Sequence, residues 1–327
     1  MIVVTGAAGF IGSNILAELE DQGEGATVAC DWLGTGEKWR NLAKRQIAAV
    51  VTPDGLEAYL NTNASRVRAI FHMGAISDTN ERDVDRLVKL NIMSTIRLWD
   101  WCAENKVRFI YASSAATYGA LETGLVDDES LAEMSKLCPL NAYGWSKKAT
   151  DEIILKKIAN GETPPPQWAG FKFFNVYGPN EYHKGHMQSV IAKIFDSVRQ
   201  GRPASLFRSE RSDIPDGEQR RDFIYVKDCC RAAVWLLKNS AISGIFNIGT
   251  GCSISFLDIV RCIGRIMGKD IPVQFIDMPE NIRNAYQYRT VAEIRKIRDQ
   301  GLDFPLYSLE DGVADYIQGY LMKDRYR

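Results

Sequence analysis

The chain has 327 residues, of which 46% are hydrophobic, and its 40 Lys and Arg residues nearly balance 41 Asp and Glu residues, which gives a net charge of −1. This composition is ordinary for a soluble globular protein, and the near-zero charge implies no general attraction to nucleic acid or to a membrane surface. No apolar run is long enough to span a bilayer.

Two further features bear on the compartment. The sequence enters a strand at its first residues without a basic segment, so we expect no signal peptide. The seven cysteines include no Cys-x-x-Cys pair, and Cys229 and Cys230 are adjacent. This pattern argues against a metal or redox motif and predicts reduced thiols in a cytoplasmic protein.

The first predicted elements are a strand, a glycine turn and a helix. Residues 2–4 form a β-branched run typical of a buried parallel strand, and the apolar spacing over residues 10–19 is that of a helix. Between them, Gly6 permits a tight turn, Gly9 lets a pyrophosphate approach the backbone, and Gly12 lets the helix pack closely on the strand. The free N–H groups at the start of the helix would face the phosphates. The stretch therefore predicts a dinucleotide-binding site.

The second predicted strand covers residues 26–31 and ends in Asp31, roughly 20 residues after the glycines. A carboxylate in this place accepts hydrogen bonds from the adenosine ribose hydroxyls and repels a 2′-phosphate, which favours NAD. Lys38 and Arg40 follow closely, and either could neutralise such a phosphate. The residues alone leave NAD and NADP open.

Strands and helices continue to alternate after this point. The predicted strands cover residues 47–51, 67–73 and 107–112, and the predicted helices cover residues 53–60 and 83–104. A turn of small residues, 74–77, follows the middle strand and belongs beside the cofactor. The alternation predicts an α/β fold with a doubly wound parallel sheet of Rossmann type.

The pattern changes in the second half of the chain, where the predicted elements are shorter and mixed. We predict a dinucleotide-binding domain over residues 1–170, to which residues 220–250 return. Residues 171–327 should form a smaller mixed α/β lobe that mainly binds substrate. The stretch from Arg208 to Arg221 is strongly charged, and we expect a mobile surface loop there.

Tyr143 and Lys147 are four residues apart in a predicted helix over residues 143–159, so the two side chains share one face. A phenol has a pKa of about 10 and is a poor base at neutral pH. A nearby ammonium and the positive nicotinamide ring would stabilise the phenolate and lower that pKa. Tyr143 could then take a proton from an alcohol, while Lys147 also holds the nicotinamide ribose.

Ser113 and Ser114 follow the predicted strand over residues 107–112. A hydroxyl at the carboxyl edge of the sheet can hydrogen-bond the reacting oxygen and relay to the tyrosine, and we assign this role to Ser114. The alternative is a serine that caps a helix or a turn.

Five motifs together resemble the extended short-chain dehydrogenase/reductases that act on nucleotide sugars. They are Thr5-Gly-x-x-Gly-x-x-Gly12, Ser113-Ser114, Tyr143-x-x-x-Lys147, Phe174-Asn-Val-Tyr-Gly-Pro179 and Arg221-Asp-Phe-Ile-Tyr-Val-Lys-Asp228. More narrowly, residues 111–119 and 175–185 are similar to the ADP-L-glycero-D-manno-heptose 6-epimerase family, which supplies the heptose precursor of bacterial lipopolysaccharide. The resemblance runs essentially from end to end.

This resemblance implies epimerisation at C6 of an ADP-linked heptose with NADP, or alternatively NAD, in a homo-oligomer. It also implies a second base, Lys184. Each epimer needs its own proton acceptor, because the C6 hydroxyl points differently in the two, so Tyr143 and Lys184 should lie on opposite sides of the substrate. A lysine is a base only when neutral, so Lys184 should lie near other positive charge or in a dry pocket.

The resemblance completes the predicted site. The cofactor should contact Gly6, Gly9, Phe10, Ile11, Gly12, Asp31, Trp32, Lys38, Met73, Gly74, Ala75, Ile76, Ser77, Asn91, Lys147 and Val176. The substrate should contact Ser114, Asn175, Lys184, His186, Lys193, Phe207, Arg221 and Tyr286. Arg221 should hold the diphosphate, because its bidentate geometry suits phosphate.

Other functions stay open as alternatives. A 4-epimerase or a reductase acting on a nucleotide sugar is the second hypothesis, and a non-catalytic dinucleotide sensor is the third, although such sensors usually lack the Tyr-x-x-x-Lys pair. A dehydratase is disfavoured, because Ala115 and Ala116 stand where such enzymes carry acids. Four departures from the family pattern leave the phosphate preference of the cofactor and the exact sugar open: Pro53, Met73, His186 and Lys193.

Overall fold

The computed structural model describes residues 1–283 and 286–327 of the chain. The strands are β1 (Ile2–Thr5), β2 (Thr27–Cys30), β3 (Ile47–Val51), β4 (Ala69–His72), β5 (Arg108–Ser114), β6 (Trp168–Phe173), β7 (Asn175–Tyr177), β8 (Ala204–Phe207), β9 (Arg220–Arg221), β10 (Phe223–Tyr225), β11 (Gly244–Ile248), β12 (Ile254–Ser255) and β13 (Val273–Ile276). Within the described residues, seven of them pair in parallel in one sheet, in the order β11-β6-β5-β4-β1-β2-β3.

The helices connect and flank these strands. They are α1 (Phe10–Asp21), α2 (Leu56–Asn63), α3 (Val84–Leu87), α4 (Ser94–Glu104), α5 (Leu131–Lys136), α6 (Ala142–Ala159), α7 (Val190–Arg199), α8 (Val226–Lys238), α9 (Phe256–Met267), α10 (Glu280–Arg283), α11 (Arg295–Asp299) and α12 (Leu309–Gly319). Short 3₁₀ turns cover Glu37–Asn41, Pro53–Gly55, Ala64–Arg66, Ala115–Tyr118, Tyr182–Met187 and Leu321–Lys323.

Alternate residues of β1 explain why helices cover both faces of the central sheet. Ile2 and Val4 pack in a core with α1 and α8 on one face, while Val3 packs with Trp99 of α4 and Ile154 of α6 on the other. A parallel strand buried on both faces needs an apolar side chain at every position, which is the pattern in the sequence. The predicted doubly wound sheet of Rossmann type is confirmed.

The predicted helix over residues 83–104 is one continuous run of α3, a π-helical segment (Val88–Met93) and α4. Asp83 caps its start by accepting the N–H of Arg86. Segments of π-helix are rare and often lie at functional sites. This one carries Asn91, which belongs to the predicted cofactor residues.

The central sheet extends beyond the predicted boundary at residue 170. β6 crosses that position and continues to Phe173 with all of its residues buried, and β11 pairs with β6 in parallel. The central sheet therefore continues past residue 170. β11, which also belongs to this sheet, lies within residues 220–250, the segment that we predict to return to the cofactor domain. The division of the chain into a cofactor domain and a substrate lobe stays a prediction.

Short strand pairs accompany the second half of the chain. β7 pairs in parallel with β10, β8 in parallel with β13, and β9 antiparallel with β12. In the two described ranges, we find no helix with the length and apolar character that crossing a bilayer requires.

The strand order creates a crevice between β1 and β4. β1 has β2 on one side and β4 on the other, so the chain runs in opposite directions across the sheet after these two strands. Ligands of open α/β sheets bind outside the carboxyl ends of the strands at such a switch point. The glycine turn follows β1 and the turn 74–77 follows β4, so both border this crevice.

Candidate active site

The glycine turn and the turn after β4 are in direct contact. Gly6 has a φ of +61°, and a Cβ at this residue would lie 2.7 Å from Gly74 N. Gly74 also donates its N–H to Thr5 Oγ1. A Cβ at Gly12 would lie 2.1 Å from Gly6 O, so α1 can begin this close to the turn only with glycine. Gly9 directly precedes α1, whose first N–H groups lack helical partners, and this cradle fits the pyrophosphate of a dinucleotide.

The end of β2 carries a buried carboxylate. Asp31 accepts hydrogen bonds from the N–H of Ala8 at 2.8 Å and from Lys38 Nζ at 2.6 Å. Lys38 also donates to the carbonyl of Trp32, whose half-exposed indole donates to Asp54. The predicted residues Asp31, Trp32 and Lys38 thus form one cluster that is joined to the glycine turn.

Asn91 braces the turn after β4. Its Oδ1 accepts the N–H of Ile76 at 2.8 Å, and its Nδ2 donates to the Ile76 carbonyl and to Ser146 Oγ, both at 3.0 Å. These bonds tie the turn Met73–Ser77 to α6. The structure therefore gives this predicted cofactor residue a positioning role, and its contact with the cofactor stays a prediction.

Of the three remaining apolar residues of the predicted cofactor site, two lie at the start of α1 and one lies on β7. Phe10 and Ile11 are the first residues of α1, directly after the glycine turn. Val176 is partly buried on β7, which pairs with β10. Contact of these residues with the cofactor also stays a prediction.

Strand β5 and helix α6 bring the predicted serine, tyrosine and lysine together. Asn141 caps the start of α6 with its side chain. Ser114 Oγ accepts the N–H of Ala116 at 3.1 Å, and this hydroxyl acts to lower the pKa of Tyr143. Lys147 Nζ donates to the Ala112 carbonyl at 2.7 Å. Both contacts lie at the carboxyl end of β5, which is the edge where cofactor and substrate meet in this fold.

Burial governs the pKa values of the tyrosine and the lysine. It raises the pKa of Tyr143, and the Ser114 hydroxyl opposes that shift. It lowers the pKa of Lys147 to about 8, which the Asp151 carboxylate opposes. We predict from the sequence that Lys147 and a nicotinamide ring lower the pKa of Tyr143. Burial raises the pKa of Tyr143 instead, and the effect of a bound nicotinamide ring stays a prediction.

The predicted site omits Asp151, a buried acid one turn beyond Lys147 on α6. Its carboxylate accepts hydrogen bonds from Tyr111 at 2.9 Å and from Ser113 at 2.7 Å. Both donors belong to β5, so Asp151 fixes the strand and the helix relative to each other. Its position four residues after Lys147 and eight after Tyr143 was the signal that could have identified it.

Lys184 lies in the 3₁₀ turn Tyr182–Met187, which follows β7. Its Nζ lies 5.1 Å from the centre of the Phe10 ring, at the start of α1. Burial lowers the pKa of Lys184, Glu181 opposes this shift, and the Lys193 ammonium adds to it. These surroundings agree with those expected for a lysine base, because they favour the neutral amine.

His186 and Lys193 hold the turn that carries Lys184. Lys193 Nζ donates to the carbonyl of His186 at 2.6 Å, and His186 Nε2 lies 3.1 Å from Asp78 Oδ2. Asp78 directly follows the turn Met73–Ser77, so this contact joins the two turns. The predicted contacts of His186 and Lys193 with substrate stay predictions.

A cleft of about 590 Å³ opens next to Tyr143. Three of the predicted substrate residues, Asn175, Arg221 and Tyr286, line it together with Ala142. Its volume lies within the range of small-molecule sites. The cleft therefore brings three predicted substrate residues close to the start of α6, where Tyr143 follows Ala142.

The guanidinium of the buried residue Arg221, which lines this cleft, lies near two aromatic rings. It lies 4.9 Å from the ring centre of Tyr286 and 5.9 Å from that of Phe256. Tyr286 also contacts Phe207 edge-to-face, with 6.3 Å between the ring centres. Stacking holds the planar guanidinium in one orientation, which bidentate binding of phosphate requires.

Other contacts of the cleft are absent from the sequence predictions. Residues 79–82 and Gln287 form part of the lining, and Gln287 donates to the Gly119 carbonyl at 2.6 Å.

The charged stretch that we expect to be a mobile loop also makes a contact absent from the predictions. Arg211 in this stretch pairs with Glu122 at 2.6 Å. Each contact joins loops that are far apart in sequence, so no spacing of residues indicates them.

Residues 2–249 match the NAD dependent epimerase/dehydratase family. The chain belongs to this family. The ADP-L-glycero-D-manno-heptose-6-epimerase of Fusobacterium nucleatum is 43% identical to this epimerase over 99% of both chains, and that of Nitratidesulfovibrio vulgaris strain DP4 is 44% identical over 98% of both. The solved ADP-L-glycero-D-manno-heptose-6-epimerase of Helicobacter pylori is 26% identical with a TM-score of 0.79, and the match covers 97% of this chain and 95% of that one.

Membership in this family accounts for the chemistry of the crevice. The epimerase is an enzyme that acts on nucleotide sugars with a nicotinamide dinucleotide. The glycine cradle at the start of α1 is the place in the structure that fits such a cofactor.

Proposed function

We propose that this epimerase interconverts ADP-D-glycero-D-manno-heptose and ADP-L-glycero-D-manno-heptose by transient oxidation at C6. The observation that carries the proposal is one cleft with a serine–tyrosine pair, Ser114 and Tyr143, beside it and a stacked guanidinium, Arg221, in its wall. The names of the similar proteins support an ADP-linked heptose as the substrate.

The cofactor that we propose for the cradle is NADP, with NAD as the alternative. A nicotinamide dinucleotide supplies an acceptor that takes the hydride from C6 and returns it. Gly6, Gly9 and Gly12 would hold its pyrophosphate, and Asp31 and Lys38 its adenosine ribose. Because Lys38 pairs with Asp31 at 2.6 Å, the carboxylate does not by itself exclude a 2′-phosphate.

Tyr143 is the base for one C6 epimer. Its phenolate accepts the proton of the C6 hydroxyl during oxidation to the ketone, and its phenol returns a proton during reduction. Ser114, which acts to lower the pKa of Tyr143, holds the reacting oxygen. The Lys147 ammonium supplies positive charge that favours the phenolate once the nicotinamide is bound.

Lys184 is the base for the other epimer. The ketone must present its opposite face before it is reduced, so the hydroxyl of the second epimer points away from Tyr143. The lowered pKa of Lys184 supports this role, because a larger share of the amine is neutral and able to accept a proton.

The substrate contacts divide between the two ends of the sugar nucleotide. Arg221 binds the diphosphate, Phe207 lies beside the nucleotide, and Tyr286 lines the sugar pocket. Asn175, His186 and Lys193 bind substrate near the two bases.

We also propose that the epimerase is a homo-oligomer, on the strength of the family resemblance. Light scattering of the purified protein tests this directly. Limited proteolysis tests the division into a cofactor domain and a substrate lobe. Because β11 returns to the central sheet, we expect cuts between the two parts to leave fragments that remain associated.

Nuclear magnetic resonance tests the proposed reaction. The purified protein is incubated separately with ADP-D-glycero-D-manno-heptose and with UDP-glucose, and the epimer ratio of each is followed. We expect a mixture of both C6 epimers from the heptose and no change in UDP-glucose. Conversion of UDP-glucose alone would favour a 4-epimerase instead. Mass spectrometry of the nucleotide released on denaturation distinguishes NADP from NAD.

A further inference from the structure

The last residues of the sequence contact the turn that carries Lys184. The Tyr182 hydroxyl donates to the carbonyl of Arg325 at 2.8 Å. Tyr326 packs edge-to-face on Tyr182, with 4.9 Å between the ring centres. The first residue of the turn is therefore held through both its hydroxyl and its ring, two positions before Lys184.

Asn180 is a second contact point between the same segments. Its φ of +73° lies in the left-handed region, which few residues other than glycine adopt, and its side chain is fully buried. The Arg327 N–H donates to Asn180 Oδ1 at 2.9 Å, and Asn180 Nδ2 donates to Ser13 Oγ of α1 at 3.0 Å. Asn41 Nδ2 donates to the Asn180 carbonyl. These bonds hold an unusual backbone conformation four residues before Lys184.

The Arg327 side chain attaches this segment to α1. Its guanidinium lies 2.6 Å from Glu18 Oε2 and 3.0 Å from Asp21 Oδ2. The Arg327 and Glu18 side chains are each only 10% exposed, so removal of either partner would leave a desolvated charge unpaired. α1 begins at Phe10, over whose ring Lys184 Nζ lies. One helix thus carries the anchor of the segment and the contact of the amine.

We propose that residues 325–327 are positioning residues, which clamp the Lys184 turn onto α1 and hold the amine at the glycine cradle. This inference rests on the proposed role of Lys184 as the base for one epimer. The turn itself is a short 3₁₀ segment interrupted at Gly185, with a φ of +53°. On its other side it is held through the bonds of Glu181 with Ser189. A regular helix would need no such clamp, since its own hydrogen bonds fix each residue.

The test measures how fast each C6 epimer reduces the bound cofactor in a single turnover, followed by the fluorescence of the reduced nicotinamide. The variants are Arg327→Ala, Lys184→Met and, as a matched control, Lys323→Ala, which removes an exposed cation near the same end of the chain. We expect Arg327→Ala to slow the reaction roughly 10- to 100-fold with the same single epimer that Lys184→Met slows. The other epimer should react normally, and Lys323→Ala should change neither rate.

Amide hydrogen exchange over residues 182–187 adds a readout that does not depend on activity. We expect faster exchange there in Arg327→Ala, normal exchange in Lys323→Ala, and partial recovery in Arg327→Lys. Should Arg327→Ala fail to fold, Tyr326→Leu removes the ring contact while it keeps the ion pairs, and the same epimer-selective loss is expected.

The outcomes separate this inference from the proposed function. If Lys184→Met slows one epimer but Arg327→Ala slows both equally or neither, the clamp is refuted and the two-base reaction stands. If Lys184→Met slows neither epimer, the second base is wrong and the clamp falls with it. Unchanged hydrogen exchange in Arg327→Ala also contradicts the clamp.

Discussion

The two candidate bases of this epimerase lie in contrasting surroundings. Tyr143 stands in the first turn of α6, a helix of 18 residues that is joined to β5 through Lys147 and Asp151. Lys184 stands in a short 3₁₀ turn, and its neighbours Asn180 and Tyr182 are held from distant parts of the chain. One base is built into regular structure, and the other depends on long-range contacts.

Burial acts on the two bases in opposite directions. It disfavours the charged form of either group, so it raises the pKa of Tyr143 and lowers the pKa of Lys184. For the lysine this shift produces the neutral amine that a base requires. For the tyrosine it opposes the phenolate, which must then be stabilised by Ser114, Lys147 and a positive nicotinamide ring. Burial therefore favours the proton-accepting form of Lys184 and disfavours the proton-accepting form of Tyr143.

Removal of the tyrosine hydroxyl should give the largest effect. In Tyr143→Phe we expect epimerisation to fall roughly 10²- to 10⁴-fold, the usual contribution of a general acid–base group, with the cofactor still bound. The measurements are the rate of epimer exchange and the cofactor content of the purified protein. Tyr59→Phe, on α2, removes a hydroxyl outside the site and should keep full activity. Normal turnover in Tyr143→Phe would remove this residue from the mechanism.

Lys184→Met tests the other base and should have a somewhat smaller effect. We expect epimerisation to slow about 100-fold, because the oxidation of only one epimer loses its proton acceptor. Lys156→Met, which removes an exposed lysine of α6, is the matched control. Equal loss of oxidation with both epimers would show that Lys184 is not specific to one of them.

Asp151→Asn tests whether Asp151, which joins α6 to β5, also controls the protonation of Lys147. Burial brings the pKa of Lys147 to about 8, and the Asp151 carboxylate raises it. Without that carboxylate the pKa falls further, so Lys147 loses its proton at lower pH. Because the proposed reaction requires the Lys147 ammonium, the rate should begin to fall at a lower pH in the variant than in the wild type.

The measurement is kcat against pH from about 6 to 10. Glu152→Gln, at the next position of α6, changes a partly exposed acid that pairs with Lys148 and should leave the profile unshifted. If Asp151→Asn also keeps the wild-type alkaline limb, Asp151 does not act on Lys147.

The smallest effect is expected from a contact that touches neither base. Glu122→Gln removes the ion pair with Arg211 that joins two loops, and a partly exposed pair of this kind contributes little. We expect KM to rise about two- to fivefold with kcat and epimer preference unchanged. Asp213→Asn, which removes the other partner of Arg211, leaves the link between the two loops in place and should change less. A fall in kcat would show that this link also orients the bases.

The surroundings of Tyr143, the first candidate base, could be predicted in part from the sequence because they are local. The spacing of Tyr143 and Lys147 puts them on one helix face. The glycine turn can be recognised from the strand pattern before it and the helix pattern after it. The doubly wound parallel sheet likewise follows from the alternation of strands and helices. Yet the same local spacing also includes Asp151, which the sequence reading overlooked.

The surroundings of the second base could not be predicted in this way. Asn180 is hydrogen-bonded to Arg327 and Tyr182 to Arg325, which lie more than 140 positions further along the chain. No periodicity of the sequence links such distant residues. The shift that burial gives to the pKa of Tyr143 could not be predicted either. Its direction depends on how much protein buries the phenol, which is a property of the packed structure rather than of the spacing to Lys147.

The most direct test of the central claim is epimerisation of the ADP-linked heptose in heavy water, followed by nuclear magnetic resonance at C6. The account predicts that both epimers form while C6 keeps its original hydrogen, because the hydride is removed and returned within the site and only hydroxyl protons exchange with solvent. Incorporation of deuterium at C6, or no interconversion by protein that holds its full complement of dinucleotide, would contradict it.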